Sequence, residues 1–118
     1  MILEKLKILQ DSKVIDEDTY QFALNVLANF KELELIQADN EADVFLTHLA
    51  MADSRRKLND YSIGEMDKFI LDEVEKNEHY MQSKEIWESI SKKYTRDNFS
   101  DNEKHYIYLH LTNLLNKE

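Results

Sequence analysis

Glu41 to Leu58 reads EADVFLTHLAMADSRRKL. The stretch follows the cap-like pair Asp39-Asn40, contains neither Gly nor Pro, and repeats apolar residues at helical spacing. This predicts one helix of about five turns. Phe45, His48, Leu49 and Ala52 fall at i, i+3, i+4 and i+7, so the imidazole of His48 is expected on or beside the face that seeks burial. A titratable, nucleophilic group then stands where leucine would be less costly. Arg55 returns to nearly the same azimuth about 10 Å further along the axis, a neighbour of His48 and not a direct partner. Arg55, Arg56 and Lys57 close the helix. One reading of the arginine pair is solvated cations complementing the negative end of the helix dipole; the other is a phosphate-facing role. Asp53, on the same helix, would oppose a phosphate unless Arg55 or Arg56 offsets it.

Working outward, a short helix is expected over Met1 to Gln10, with Ile2, Leu6 and Leu9 on one face. Asp16 is placed to cap a long helix from about Glu17 to Leu35, whose first turn is acidic through Glu17 and Asp18. Tyr20, Ala23, Leu24, Leu27 and Phe30 make its apolar face, widened by Phe22, Val26 and Leu33. After a break at Asn59 to Gly64, Ser62 and Glu65 have capping-box spacing for a helix to about Asn77, lined by Met66, Phe69, Ile70 and Val74. His79 falls in a loop or helix end. About Gln82 to Tyr94 is expected to form the next amphipathic helix, with Ile86, Trp87, Ile90 and Tyr94 on its apolar face. Ser100 and Glu103 repeat the capping-box spacing before a last helix to about Asn116, whose face carries Ile107, His110, Leu111 and Leu114. His105 sits off that stripe and is expected in solvent.

The chain has 118 residues, one Gly, no Pro and 42% apolar content. That is the length of one domain, here residues 1–118, and it supplies almost no hairpin chemistry, so the fold class is all-α, a compact bundle of five to six helices. The absence of Cys removes disulfides, thiolate metal sites and cysteine nucleophiles, and fits a cytoplasmic setting. No stretch has the length and apolarity of a membrane span, and Met1 to Gln10 lacks the uninterrupted apolar core of a signal peptide. With 24 acidic against 15 basic residues and a formal charge of −9, direct binding to nucleic acid is disfavoured.

Catalytic signatures are missing: there is no Gly-rich phosphate loop, no His-Glu-x-x-His and no Gly-x-Ser-x-Gly. His105 and His110 are five residues apart and diverge on a helix, which spoils a shared metal site. Neither an enzyme nor a metal or cofactor site is expected. A phosphoacceptor requires less: an imidazole with one exposed nitrogen that is neutral near pH 7. His48 and His110 can meet that requirement. Each can equally be a core-edge side chain bonded to a backbone carbonyl or to a tyrosine such as Tyr106.

His48-Leu49 followed by Ala52 and Arg55 resembles the first histidine motif of the PTS regulation domain (PRD), a module of bacterial sugar-operon antiterminators and activators. Phe99-Ser100-Asp101-Asn102-Glu103 followed by Tyr106-Ile107-Tyr108-Leu109-His110 resembles the module's second signature. Order and separation fit one complete module. The resemblance implies phosphorylation of His48 and His110, with Arg55 and Arg56 neighbouring the phosphate. It also implies a helical homodimer with the histidines near its interface. The implied donors are the histidine phosphocarrier protein and the sugar-permease IIB components of the phosphotransferase system, and the implied outcome is control of sugar uptake or utilisation genes. Family members act on RNA or DNA through a separate joined module. About fifteen residues precede the first long helix, so a stand-alone regulation domain is expected. The alternative is a dimerisation or adaptor module that works without phosphorylation on an unknown regulator.

Overall fold

The computed structural model of the chain describes residues 2–116; the expected helix start at Met1 lies outside them. Among the described residues there are six α-helices, one 3₁₀ turn and no strand, as expected for an all-α chain of five to six helices. The helices are α1 (Ile2–Asp11), α2 (Glu17–Glu32), α3 (Asp43–Lys57), α4 (Lys68–Lys76), α5 (Tyr80–Lys93) and α6 (Asp101–Leu115), with the 3₁₀ turn at Asp39–Ala42. They form two units, residues 1–59 and 60–118. Among the described residues no helix is long and apolar enough to cross a membrane.

In the first unit α2 and α3 pack together and α1 packs on both. Asp16 caps α2 as its position suggests, its side chain accepting from the Thr19 N–H at 2.8 Å. The buried face of α2 consists of Thr19, Phe22, Ala23, Val26, Leu27 and Phe30. Its large contact with α3 is Phe30 against Phe45, rings stacked at 5.4 Å and 24°. Burying an aromatic side chain of this size contributes roughly 2–3 kcal/mol. Leu33, expected on the same face, is exposed, because α2 stops at Glu32 rather than Leu35.

The early stop has an identifiable cause. Glu34 takes a left-handed conformation (φ 60°), its N–H donating to Lys31 O and the Leu35 N–H to Phe30 O. This is a Schellman closure built without glycine. Lys13 (φ 63°) closes α1 with the same pair of bonds, Thr95 (φ 57°) closes α5 with the outer one, the Arg96 N–H donating to Ser91 O, and Asn59 (φ 53°) follows α3. The chain's one glycine, Gly64, has no positive φ.

The start of α3 also moves. Glu41 was expected inside the helix; instead its carboxylate folds back to accept from the N–H groups of Gln37 and Ala38 at 2.9 and 2.8 Å. These bonds satisfy the 3₁₀ turn and leave α3 to begin at Asp43.

In the second unit α6 packs on both α4 and α5, which also touch each other. Trp87 is 2% exposed and meets Phe99 edge to face at 5.1 Å, a core role as its lone position suggests. Tyr80 on α5 makes a similar edge contact with Tyr108 on α6 at 5.9 Å. Ser100 caps α6, accepting from the Glu103 N–H at 3.2 Å. The expected capping box at Ser62 and Glu65 is not used. Asp67 caps α4 instead, accepting from the N–H groups of Phe69 and Ile70, and the chain before it is irregular. That segment is tied to α6 by Asn102, whose side-chain amide donates to Ile63 O at 3.4 Å, and its Met66 is buried. Phe69 and Ile70, expected inward, are 74% and 44% exposed.

Candidate functional site

The residues α3 buries are Phe45, Leu46, Leu49, Ala50, Ala52 and Asp53. At about 100° per residue their centre lies near the azimuth of Leu49 and Asp53. His48 stands roughly 100° or more from that centre, and it is exposed. Of the two expected placements, on or beside the buried face, the ring takes the one beside it. Apolar residues at i, i+3, i+4 and i+7 around His48 define the stripe equally well if shifted by one position, and the shift moves Asp53 in and His48 out.

His48 shares its outer flank with Val44, exposed, and with Met51 and Arg55, both half-buried. These positions are spaced at four, three and four residues, so they form one strip along the helix. Arg55 is therefore on the same side as His48, about seven residues away, as expected from the spacing. Arg56 is directed elsewhere. Its Nε donates to Asp53 Oδ1 at 2.9 Å, and its side chain is largely buried.

Asp53 is the carboxylate that sequence reading misplaced. It is 0% exposed, its Oδ2 accepts from the Thr19 hydroxyl at 2.7 Å, and Lys57 Nζ lies 3.9 Å from the same oxygen. Lys57 in turn donates to Asp16 at 2.8 Å and to Asp18 at 2.7 Å. A buried carboxylate is tolerated because Arg56, Lys57 and a hydroxyl surround it. The signal that could have found it is the Asp53/Arg56 and Asp53/Lys57 spacing of three and four on one helix.

These contacts set the titration of the exposed end of the network. The Lys57 hydrogen bond holds the Asp16 carboxyl below its ordinary 3.8. Burial pulls Lys57 down, but the hydrogen bonds to Asp16 and Asp18 outweigh it and raise the ammonium above its ordinary 10.5.

The other histidines belong to the second unit. His110 is half-buried on α6, beside buried Leu111 and Thr112. His105, expected in solvent, is also half-buried. His79 occupies the position before α5, its N–H donating to Asn77 Oδ1 at 2.8 Å and its Nε2 3.4 Å from Glu78 Oε1. His48 and His110 thus stand on different units.

Of the clefts that lie within single units, two run between helices. One of about 370 Å³ in the first unit is bounded by Gln10, Asp16, Thr19, Ser54 and Lys57. The other, about 210 Å³, runs between α4 and α6 past Phe69, Ile70, Glu73 and Leu109. Neither is lined by a histidine. Among the described residues no group of three or more His, Asp or Glu could hold a metal ion. The chain matches no protein-family model, no curated protein and no solved structure.

Proposed function

We propose that this chain is a regulatory domain of the PRD type, with His48 and His110 as phosphoacceptors and no catalytic activity of its own. The observation that carries the reading is the exposure of His48 on a well-packed helix, with Arg55 along the same strip. An imidazole nitrogen on such a surface can attack the phosphorus of a donor's phosphohistidine. The donor's P–N bond breaks and a new P–N bond forms on His48; the proton lost from the His48 ring passes through solvent to the donor ring, which leaves as a neutral imidazole. The donors this reading requires are the histidine phosphocarrier protein and sugar-permease IIB components. The acceptor gains about −1.5 to −2 of charge, by analogy with other phosphoresidues. Val44 and Met51 flank the ring, so an interface formed over this strip when His48 is neutral would be opened by the added charge. In this way a cytoplasmic homodimer would report sugar uptake to the genes of its use.

The test is incubation with radiolabelled phosphoenolpyruvate, enzyme I and the phosphocarrier. Label on wild type that falls with His48→Ala and with His110→Ala, and vanishes in the double variant, supports the reading. Absence of label on folded wild-type protein removes it. A second reading, an adaptor that works without phosphorylation, is favoured by a different observation: the exposure of Phe69 and Ile70 beside the α4–α6 cleft.

A further inference from the structure

The groove between α4 and α6 combines an apolar floor with an acidic rim. Phe69, Ile70, Val74 and Leu109 supply the apolar part of its lining, with Glu73 and the uncharged polar Asn77, Thr112 and Asn113 supplying the rest. Only Val74 of α4 is buried, whereas Phe69 is 74% exposed. A nine-residue helix that turns an aromatic and an isoleucine to water leaves apolar area that association would cover. Acids outnumber bases around that area. Glu65, Asp72, Glu73 and Glu75 are exposed, and none forms an ion pair among the described residues. Asp67 adds a further carboxylate at the start of α4, while Lys68 and Lys76 are the cations of that helix.

We infer that this groove docks a basic amphipathic helix of a partner protein. The partner's apolar stripe lies on Phe69 and Ile70, and its Lys or Arg side chains reach Glu73 and the neighbouring carboxylates. A groove between two helices suits a third helix laid along it, with anchors at i, i+3 or i+4, and i+7. Charge decides the occupant. A second copy of this chain carries −9 and would bring like charge to the rim, which opposes pairing across this face. An anionic lipid surface is disfavoured for the same reason. The inference does not depend on phosphorylation of either histidine.

The experiment uses the full chain and three synthetic peptides of about four helical turns: a Leu/Lys peptide with leucines on one face, a Leu/Glu peptide of the same pattern, and a Leu/Lys peptide of scrambled order. Binding is read by fluorescence anisotropy, and the bound face by amide chemical shifts. The patterned Leu/Lys peptide binds, shifting amides of Phe69, Ile70, Val74 and Leu109. Phe69→Ser with Ile70→Ser weakens it about tenfold or more, on the scale of a lost pair of anchors. Glu73→Lys weakens it and flattens its salt dependence. Glu4→Gln with Glu32→Gln, exposed acids of the other unit, leaves it unchanged. Equal binding of the scrambled or the Leu/Glu peptide overturns the proposal, as does insensitivity to the Phe69 and Ile70 changes in a protein of unchanged circular dichroism. A dimer in sedimentation that the same two changes dissociate also overturns it, assigning the groove to self-association.

Discussion

The Thr19 hydroxyl donates to Asp53 Oδ2 at 2.7 Å, with both side chains closed to water. The first turn of α2 and the last turns of α3 are joined through this carboxylate, whose other oxygen takes the Nε–H of Arg56. Lys57 continues the chain of charges to Asp16 and Asp18. Both helix ends gain from the arrangement. Carboxylates gather at the N-terminus of α2 and cations at the C-terminus of α3, each where the helix dipole favours it.

Asp53→Ala leaves Arg56 and Lys57 without their buried partner and is expected to cost about 3 kcal/mol. Thr19→Val removes one hydrogen bond and should cost about 1–2 kcal/mol. Urea unfolding followed by far-ultraviolet circular dichroism measures both. An Asp53→Ala cost under about 1 kcal/mol would show that the buried charges nearly balance without it.

The exposed end of the network predicts a pH window. Asp16 is depressed in the folded state, so its contribution is complete above its ordinary 3.8 and is lost as pH falls through the lower folded value. Lys57 is raised, so its contribution is complete below 10.5 and is lost as pH rises through the higher folded value. The stability difference between wild type and Lys57→Met is therefore expected to be flat from about pH 5 to 9 and to shrink on both sides. Asp16 is mostly solvated, which keeps its share of that difference within about 1 kcal/mol. Denaturation midpoints across the pH range test the shape; a difference that grows in acid contradicts it.

Helix capping separates an aspartate and a serine that look alike in sequence. Asp67→Ala should destabilise by about 1 kcal/mol, because Asp67 holds the first N–H groups of α4. Ser62→Ala, in the unused capping box, should change stability by less than about 0.5 kcal/mol. Thermal melts of the two variants distinguish them.

Thr95 closes α5 in a left-handed conformation at φ 57°, the least comfortable choice for a β-branched residue. Thr95→Gly is expected to stabilise by about 0.5–1 kcal/mol, the relief of strain exceeding the entropy that glycine adds to the unfolded chain. A raised urea midpoint by Trp87 fluorescence is the expected result, and a lowered one would mean that Thr95 is held by contacts worth more than its strain.

Helix number and type were legible in residues 1–118 because one Gly and no Pro leave few alternatives to helix. Long apolar stripes such as Phe22, Val26 and Phe30 set which faces pack. The caps at Asp16 and Ser100 were legible because a cap is a local bond between a side chain and an N–H three residues on. The stop of α2 at Glu32 was not, since Glu34 closes it without the glycine that announces such turns. Nor was the α4 start at Asp67, where two candidate caps compete within a few residues.

The candidate site divides the same way. The sequence by itself determined that His48 and Arg55 share one side of α3, because the helical repeat fixes azimuth. Which side faces water was decided only by the tertiary structure. Asp53 can enter the core only if Thr19 from α2 meets it while Arg56 and Lys57 fold over it. Once that buried carboxylate is satisfied, the helix is rotated so that Leu49 points inward and His48 outward. A stripe of apolar residues cannot foresee this, because the side chain that sets the rotation is charged and its partner lies on another helix.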